Sequence, residues 1–232
     1  MMFTLLIAAA HAQPGWTGVY VLQMDTVTEA KIPMWGEMET VTRSTMLASI
    51  AAGPEGWVQS HKVCDVRIEN ASNVARTVLP QAFIDAMPEV SYPVIFTADG
   101  NDWGYAADMG RVDVGFDPAQ VGAVPVTSDG TGVIDWDSDG SPGATVEIDV
   151  PVFHNVKLQI AQRSHAILAG KVNSEGHIVG FANLVEFEQA VLGASNRFFN
   201  HAPDITPIAD LGRFSLRPVP AETTCESLRL QG

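Results

Sequence analysis

From Val156 the chain sets apolar residues at every second position: Val156, Leu158 and Ile160, then Gln162 and Ser164, then Ala166 and Leu168, with Lys157, Gln159, Arg163 and His165 between them. A period of two marks a strand with one face turned to a core, so the even face is the inside. Asn173-Ser-Glu-Gly176 makes a turn, and the returning segment sets Val179, Phe181, Val185 and Phe187 on one face with Asn183 among them. Two strands this long exceed the usual length of about five or six residues, and favour a strongly curved sheet or barrel over a compact sandwich. Gln162, Ser164, Asn183 and Phe181 then lie on the concave side. They line a ligand cavity there, or are satisfied polar and apolar groups of a filled core.

The remaining segments repeat the β pattern. Residues 16–24 read as a first strand entered through Pro14-Gly15, and 38–50 and 57–68 as an antiparallel hairpin turning at Gly53-Pro54-Glu55-Gly56. Pro80 and Pro88 bracket one short helix, suited to plug or lid a β core. Short strands are expected at 94–97 and 111–116, another at 144–150, and a closing strand at 213–219 with Phe214 and Leu216 inward. Residues 190–200 read as a short helix or a frayed strand. The fold class is mainly β: an antiparallel, strongly curved sheet or barrel with one or two short helices.

Residues 2–10 form an apolar run of the length of a signal-peptide core, and Ala10-His11-Ala12 gives a small-x-small cleavage pattern, although no Lys or Arg precedes it. Residues 1–12 are therefore expected to be a signal peptide and 13–232 one β-rich domain, secreted or periplasmic. No later apolar run approaches the ~20 residues of a spanning helix, so membrane insertion is not expected. The net charge of −14 repels phosphate backbones and anionic lipid, which argues against nucleic acid as a partner. In an oxidising compartment Cys64 and Cys225 can pair, a cross-link worth about 4 to 5 kcal/mol in the chain-entropy model; otherwise they are two buried thiols.

One stretch carries site chemistry. Asp135-Trp-Asp137-Ser-Asp139-Gly140-Ser141-Pro142-Gly143 places three carboxylates at alternate positions before a turn glycine, a pattern that wraps oxygens round a hard cation such as Ca²⁺. The carbonyl of Ser141 can add a ligand, and Glu147 stands one position late for a closing bidentate role. Affinity is expected in the weak extracellular range, about 10⁻⁴ to 10⁻³ M. The competing reading is a solvated acidic turn.

Catalytic motifs give little. The chain has no Gly-x-Ser-x-Gly, His-Glu-x-x-His, Walker or dinucleotide-binding pattern. His61, His154, His165 and His177 read as exposed strand histidines, and Asn70-Ala71-Ser72 fits a glycosylation sequon.

The Gly18-Val-Tyr20 entry to the first strand, the succession of antiparallel strands, and an early cysteine available to one near the C-terminus resemble the lipocalin or calycin plan. That resemblance implies a secreted barrel. The Asp135 to Asp139 loop resembles the Asp-x-Asp-x-Asp-Gly calcium loops of EF-hands and β-propeller repeats, which would carry a further carboxylate where Val146 or Gly143 stands here. The expected function is a secreted, non-enzymatic barrel-like protein that binds a small apolar or amphipathic ligand, with Ca²⁺ as structural support. The alternatives are a packed-core envelope or extracellular structural protein, and a hydrolase of unrecognised type.

Overall fold

The computed structural model describes residues 15–32, 36–70, 75–100, 102–150, 153, 155–201 and 203–230. Residues 1–12, expected to be a signal peptide, Ala71 and Ser72 of the expected sequon, and His154 lie outside the described residues. In chain order the elements are β1 (Gly18–Ile32), β2 (Gly36–Gly53), β3 (Gly56–Asn70), β4 (Arg76–Val78), α1 (Gln81–Ala86), β5 (Val90–Asp99), β6 (Asp102–Val114), β7 (Ala144–Asp149), β8 (Val156–Val172), β9 (Ile178–Ala194), a 3₁₀ turn (Arg197–Phe199), β10 (Ile205–Pro207), β11 (Arg213–Val219) and α2 (Cys225–Arg229). All strand pairs are antiparallel. Eight strands close a ring in the order β1, β2, β3, β5, β6, β8, β9, β11 and back to β1.

Each member of the ring thus pairs with the ring strand before and after it in sequence. Strand β7 lies outside the ring, paired with the first residues of β8 and carrying β4, while β10 pairs with the end of β1. The β2–β3 hairpin turns where the sequence placed it, from Gly53 to Gly56, and a bulge leaves Cys64 as the unpaired residue between Val63 and Asp65.

An eight-stranded ring is just wide enough for side chains to fill, and here they do. Trp16 stacks on Phe96 at 4.5 Å, Phe96 meets Tyr105 at 5.5 Å and Trp57 at 6.0 Å, and Tyr105 reaches Phe214 at 5.7 Å. Leu22, Ile50, Leu168, Ile178 and Leu216 complete this cluster, fully buried. Truncating one such leucine to alanine costs about 2 to 5 kcal/mol. Helix α1 buries Phe83 and Ile84 in a second cluster with Val114, Val146, Leu158 and Ile160.

A polar chain runs through the same core. Tyr105 donates from its hydroxyl to Gln59 Oε1 (2.9 Å), Gln59 Nε2 donates to Tyr92 Oη (2.8 Å), and Tyr92 Oη lies 3.0 Å from His61 Nδ1. Burial raises both tyrosine pKa values and pushes His61 down to about 4, so all four groups are neutral at pH 7. The expectation of an exposed strand histidine is corrected for His61, which is buried on the inner face of β3.

The even face of β8 is the inner one, as its alternation requires: Val156, Leu158, Ile160, Ala166 and Leu168 are buried, with Gln162 and Ser164 half-buried among them. For β9 the expected face is reversed. Ile178, Ala182 and Leu184 turn inward, whereas Val179, Phe181 and Val185 are exposed. Phe181 lies instead under the guanidinium of Arg213, 4.2 Å from its ring centroid, and Asn183 Oδ1 accepts the backbone N–H of Asp210. Neither faces the interior. A bulge that leaves Val185 unpaired then switches the parity, so that Phe187 opposes Ser164.

The cysteines form a disulfide, Cys64–Cys225, which fastens α2 to β3 across a separation of 161 residues. No helix among the described residues is long and apolar enough to cross a membrane.

Candidate metal centre

The acidic loop belongs to the long connection between β6 and β7, residues 115–143, which is folded back onto the outer face of β8. Phe116, Val124, Ala161 and Leu192 form a small separate core beneath it. Arg163 fastens it electrostatically. Its Nε donates to Asp113 at 2.6 Å, its Nη1 to the Gly122 carbonyl at 2.8 Å, and its guanidinium sits 5.4 Å from the Phe116 ring centroid.

Backbone bonds then pinch the acidic turn into a closed ring. Trp136 N–H donates to Gly143 O (2.9 Å), and Gly143 N–H donates to Ile134 O (2.7 Å). Gly143 makes this approach at φ +85, and a Cβ there would stand 2.6 Å from the Ile160 carbonyl oxygen. Inside the ring Ser138 (φ 57) and Gly140 (φ 86) take left-handed backbone, which turns the chain so that successive carboxylates converge.

The carboxylates organise the turn themselves. Asp135 accepts from the N–H groups of Asp139 (3.1 Å) and Gly140 (3.0 Å), and Asp139 accepts from Ser141 N–H (2.8 Å) and the Thr145 hydroxyl (2.7 Å). Asp137 Oδ2 accepts from Thr145 N–H at 3.0 Å. Its other oxygen, Oδ1, is buried and has no hydrogen-bond partner, in a residue only 8% exposed. Burial raises the Asp137 pKa, and the charges of Asp139 and Asp135 push the same way; the Thr145 hydroxyl holds Asp139 low.

One potential ligand atom from each of Asp135, Asp137 and Asp139 lies within 4.8 Å of the other two. A calcium ion with oxygens at about 2.3 to 2.6 Å accommodates ligand separations up to roughly 5 Å, so the three fit round one such ion. They can hold a metal ion. Glu147, one position late for a closing role, is not among the three; it faces Lys157 at 3.9 Å on β7. Ser141 contributes its N–H to the turn.

The expected cavity residues do not converge. Gln162 and Ser164 share the inner face of β8, while Phe181 and Asn183 stand outside the ring. Of the other histidines, His165 Nε2 meets Asp108 at 2.5 Å and His177 Nδ1 lies 3.5 Å from Glu175, both on the surface. Sequence reasoning missed Thr145. Its backbone and hydroxyl hold two of the three carboxylates, and its place directly after the loop at the head of a strand was the available signal.

No family model, curated protein or solved structure matches this chain.

Proposed function

We propose that this protein is an exported, non-enzymatic β-barrel module with a packed core, whose long outer connection is locked by a structural Ca²⁺ at Asp135, Asp137 and Asp139. The observation that carries this reading is the buried, unpartnered Oδ1 of Asp137. A buried charged oxygen without a donor is costly, and two further carboxylates beside it add repulsion that a divalent cation would reverse in sign. All-oxygen ligands suit Ca²⁺.

The ion's effect would reach the barrel through Thr145, because β7 pairs with β8 and its Ala144 and Val146 cluster with Phe83 and Ile84 of α1. The order of strands round the ring supports the lipocalin-like plan. The aromatic filling of the ring supports a packed core over a small apolar ligand held inside it. Export is supported by the disulfide, which persists in oxidising compartments.

Thermal unfolding in about 10 mM calcium against chelator tests the reading. With a dissociation constant of about 10⁻⁴ to 10⁻³ M, mass action adds about 1.4 to 2.7 kcal/mol, or roughly 3 to 11 °C for a chain of this size. Asp137→Asn keeps an oxygen for Thr145 and removes the charge. It should melt no lower than the wild type in chelator and show no calcium shift. A wild type indifferent to calcium, or an equal shift in Asp137→Asn, would remove the ion from the account.

A further inference from the structure

On the opposite side of the charge balance is a groove of about 740 Å³ on the outer face of β3, β2, β1 and β11, walled by the C-terminal segment 220–228. Acidic side chains outnumber basic ones 27 to 13 in the chain, yet the groove is lined by four arginines, Arg43, Arg67, Arg213 and Arg217, and only two carboxylates, Asp25 and Asp65. The local balance is inverted. We propose that this groove binds a small organic anion, an oxyanion headgroup on a short apolar body, with Arg217 meeting the headgroup.

Three of the four arginines already have partners. Arg43 lies 3.7 Å from Asp25 and 3.5 Å from Glu69, and Arg67 lies 3.0 Å from Asp65. Arg213 donates to the carbonyls of Asp210 (2.6 Å) and Gly212 (2.8 Å) while covering the Phe181 ring. Arg217 is exposed and has no ion pair or hydrogen bond among the described residues. It is the groove's uncommitted cation, and Arg213, held by carbonyls and a ring, is the other groove arginine with no carboxylate partner.

What surrounds Arg217 sets the rest of the ligand. Val21 stands directly across from it on β1, Val219 follows two positions along β11, and Leu228 faces the groove from α2. A guanidinium beside these three apolar side chains, in a groove whose other uncharged lining is mostly polar, suits a molecule with one charged end and a short apolar body, since its planar fork matches carboxylate and phosphate oxygens. The volume is that of a small-molecule site, within the usual range of about 300 to 1,000 Å³.

The wall is built to stay. Cys225 is bonded to Cys64, Arg229 Nε donates to the Cys64 carbonyl at 2.7 Å, and Thr224 and Ser227 cap α2 reciprocally. Reducing the disulfide frees the segment that carries Leu228. The site therefore depends on the disulfide and stands apart from the calcium reading.

Calorimetric titration of the full chain with octyl phosphate below its micellar concentration, at low salt, tests the proposal. Octan-1-ol and inorganic phosphate present the body and the headgroup alone, and octanoate tells carboxylate from phosphate. At least one of the two amphipathic anions should bind about tenfold or more tighter than either fragment. Arg217→Ala should weaken it about tenfold with an unchanged melting temperature, Arg217→Lys less, and Asp25→Asn should tighten it. Titrations in calcium and in chelator should agree, so the two proposals fail separately. Binding no tighter than octanol or phosphate, or unaltered by Arg217→Ala, would overturn the site.

Discussion

Replacing Gln59 by leucine strikes the polar chain inside the barrel. Gln59 is fully buried and serves two tyrosines at once, accepting from Tyr105 and donating to Tyr92. After Gln59→Leu, Tyr92 can still donate to His61 Nδ1 at 3.0 Å, but the Tyr105 hydroxyl is stranded in the core. An orphaned buried hydroxyl costs about 1 to 3 kcal/mol. For a chain of this size that lowers the melting temperature by roughly 2 to 12 °C. The double variant Gln59→Leu with Tyr105→Phe removes the orphan as well as its acceptor, and should be more stable than Gln59→Leu alone. Such a reversal is the non-additivity expected of residues in one network. Calorimetric melts of the four proteins in the cycle measure it. If the two substitutions add independently, or Gln59→Leu melts with the wild type, the hydrogen-bonded chain does not contribute as described.

Three further outcomes follow from the same geometry. Burial holds His61 near pKa 4 against an ordinary 6.5, so the folded state takes up its proton later than the unfolded one; stability is full above about pH 6.5 and is lost as pH falls through 4, and His61→Gln should flatten that part of a melt-versus-pH curve. Cys225→Ser opens a loop of 161 residues and should cost about 5 kcal/mol in the chain-entropy model, read by urea unfolding with and without reductant. Asp113→Ala leaves the buried guanidinium of Arg163 without its carboxylate, at a cost of about 3 kcal/mol, and limited proteolysis should then cut within residues 115–143 faster than in the wild type.

How much of this was legible in the sequence depends on where polar and small residues fall. The even face of β8 was readable because Val156, Leu158, Ile160, Ala166 and Leu168 keep one parity throughout. Strand β9 was not, because its inner positions include Gly180 and Ala182 while Val179 and Phe181 face out. Those small residues leave room for the ring of Phe214: a Cβ on Gly170, paired with Gly180, would stand 3.0 Å from Phe214 Cζ. Bulk was moved from one strand to its neighbour, which a single strand's pattern cannot display. In β3 the inner residue His61 read as exposed, and only the tyrosines of β5 and β6 make it, with Gln59, part of the core. Strands β4 and β10, three residues each, are too short to carry a period. The acidic triad was legible because its spacing is local. The arginine groove was not, since its members come from strands β2, β3 and β11.

Calcium in the acidic turn would be seen directly by diffraction. Crystals grown in millimolar calcium and measured at long wavelength would show the ion in an anomalous difference map. The expected result is a peak about 2.3 to 2.6 Å from an oxygen of each of Asp135, Asp137 and Asp139, with Asp137 Oδ1 among its ligands. A map without that peak, with Asp137 Oδ1 satisfied by a water molecule, would contradict it.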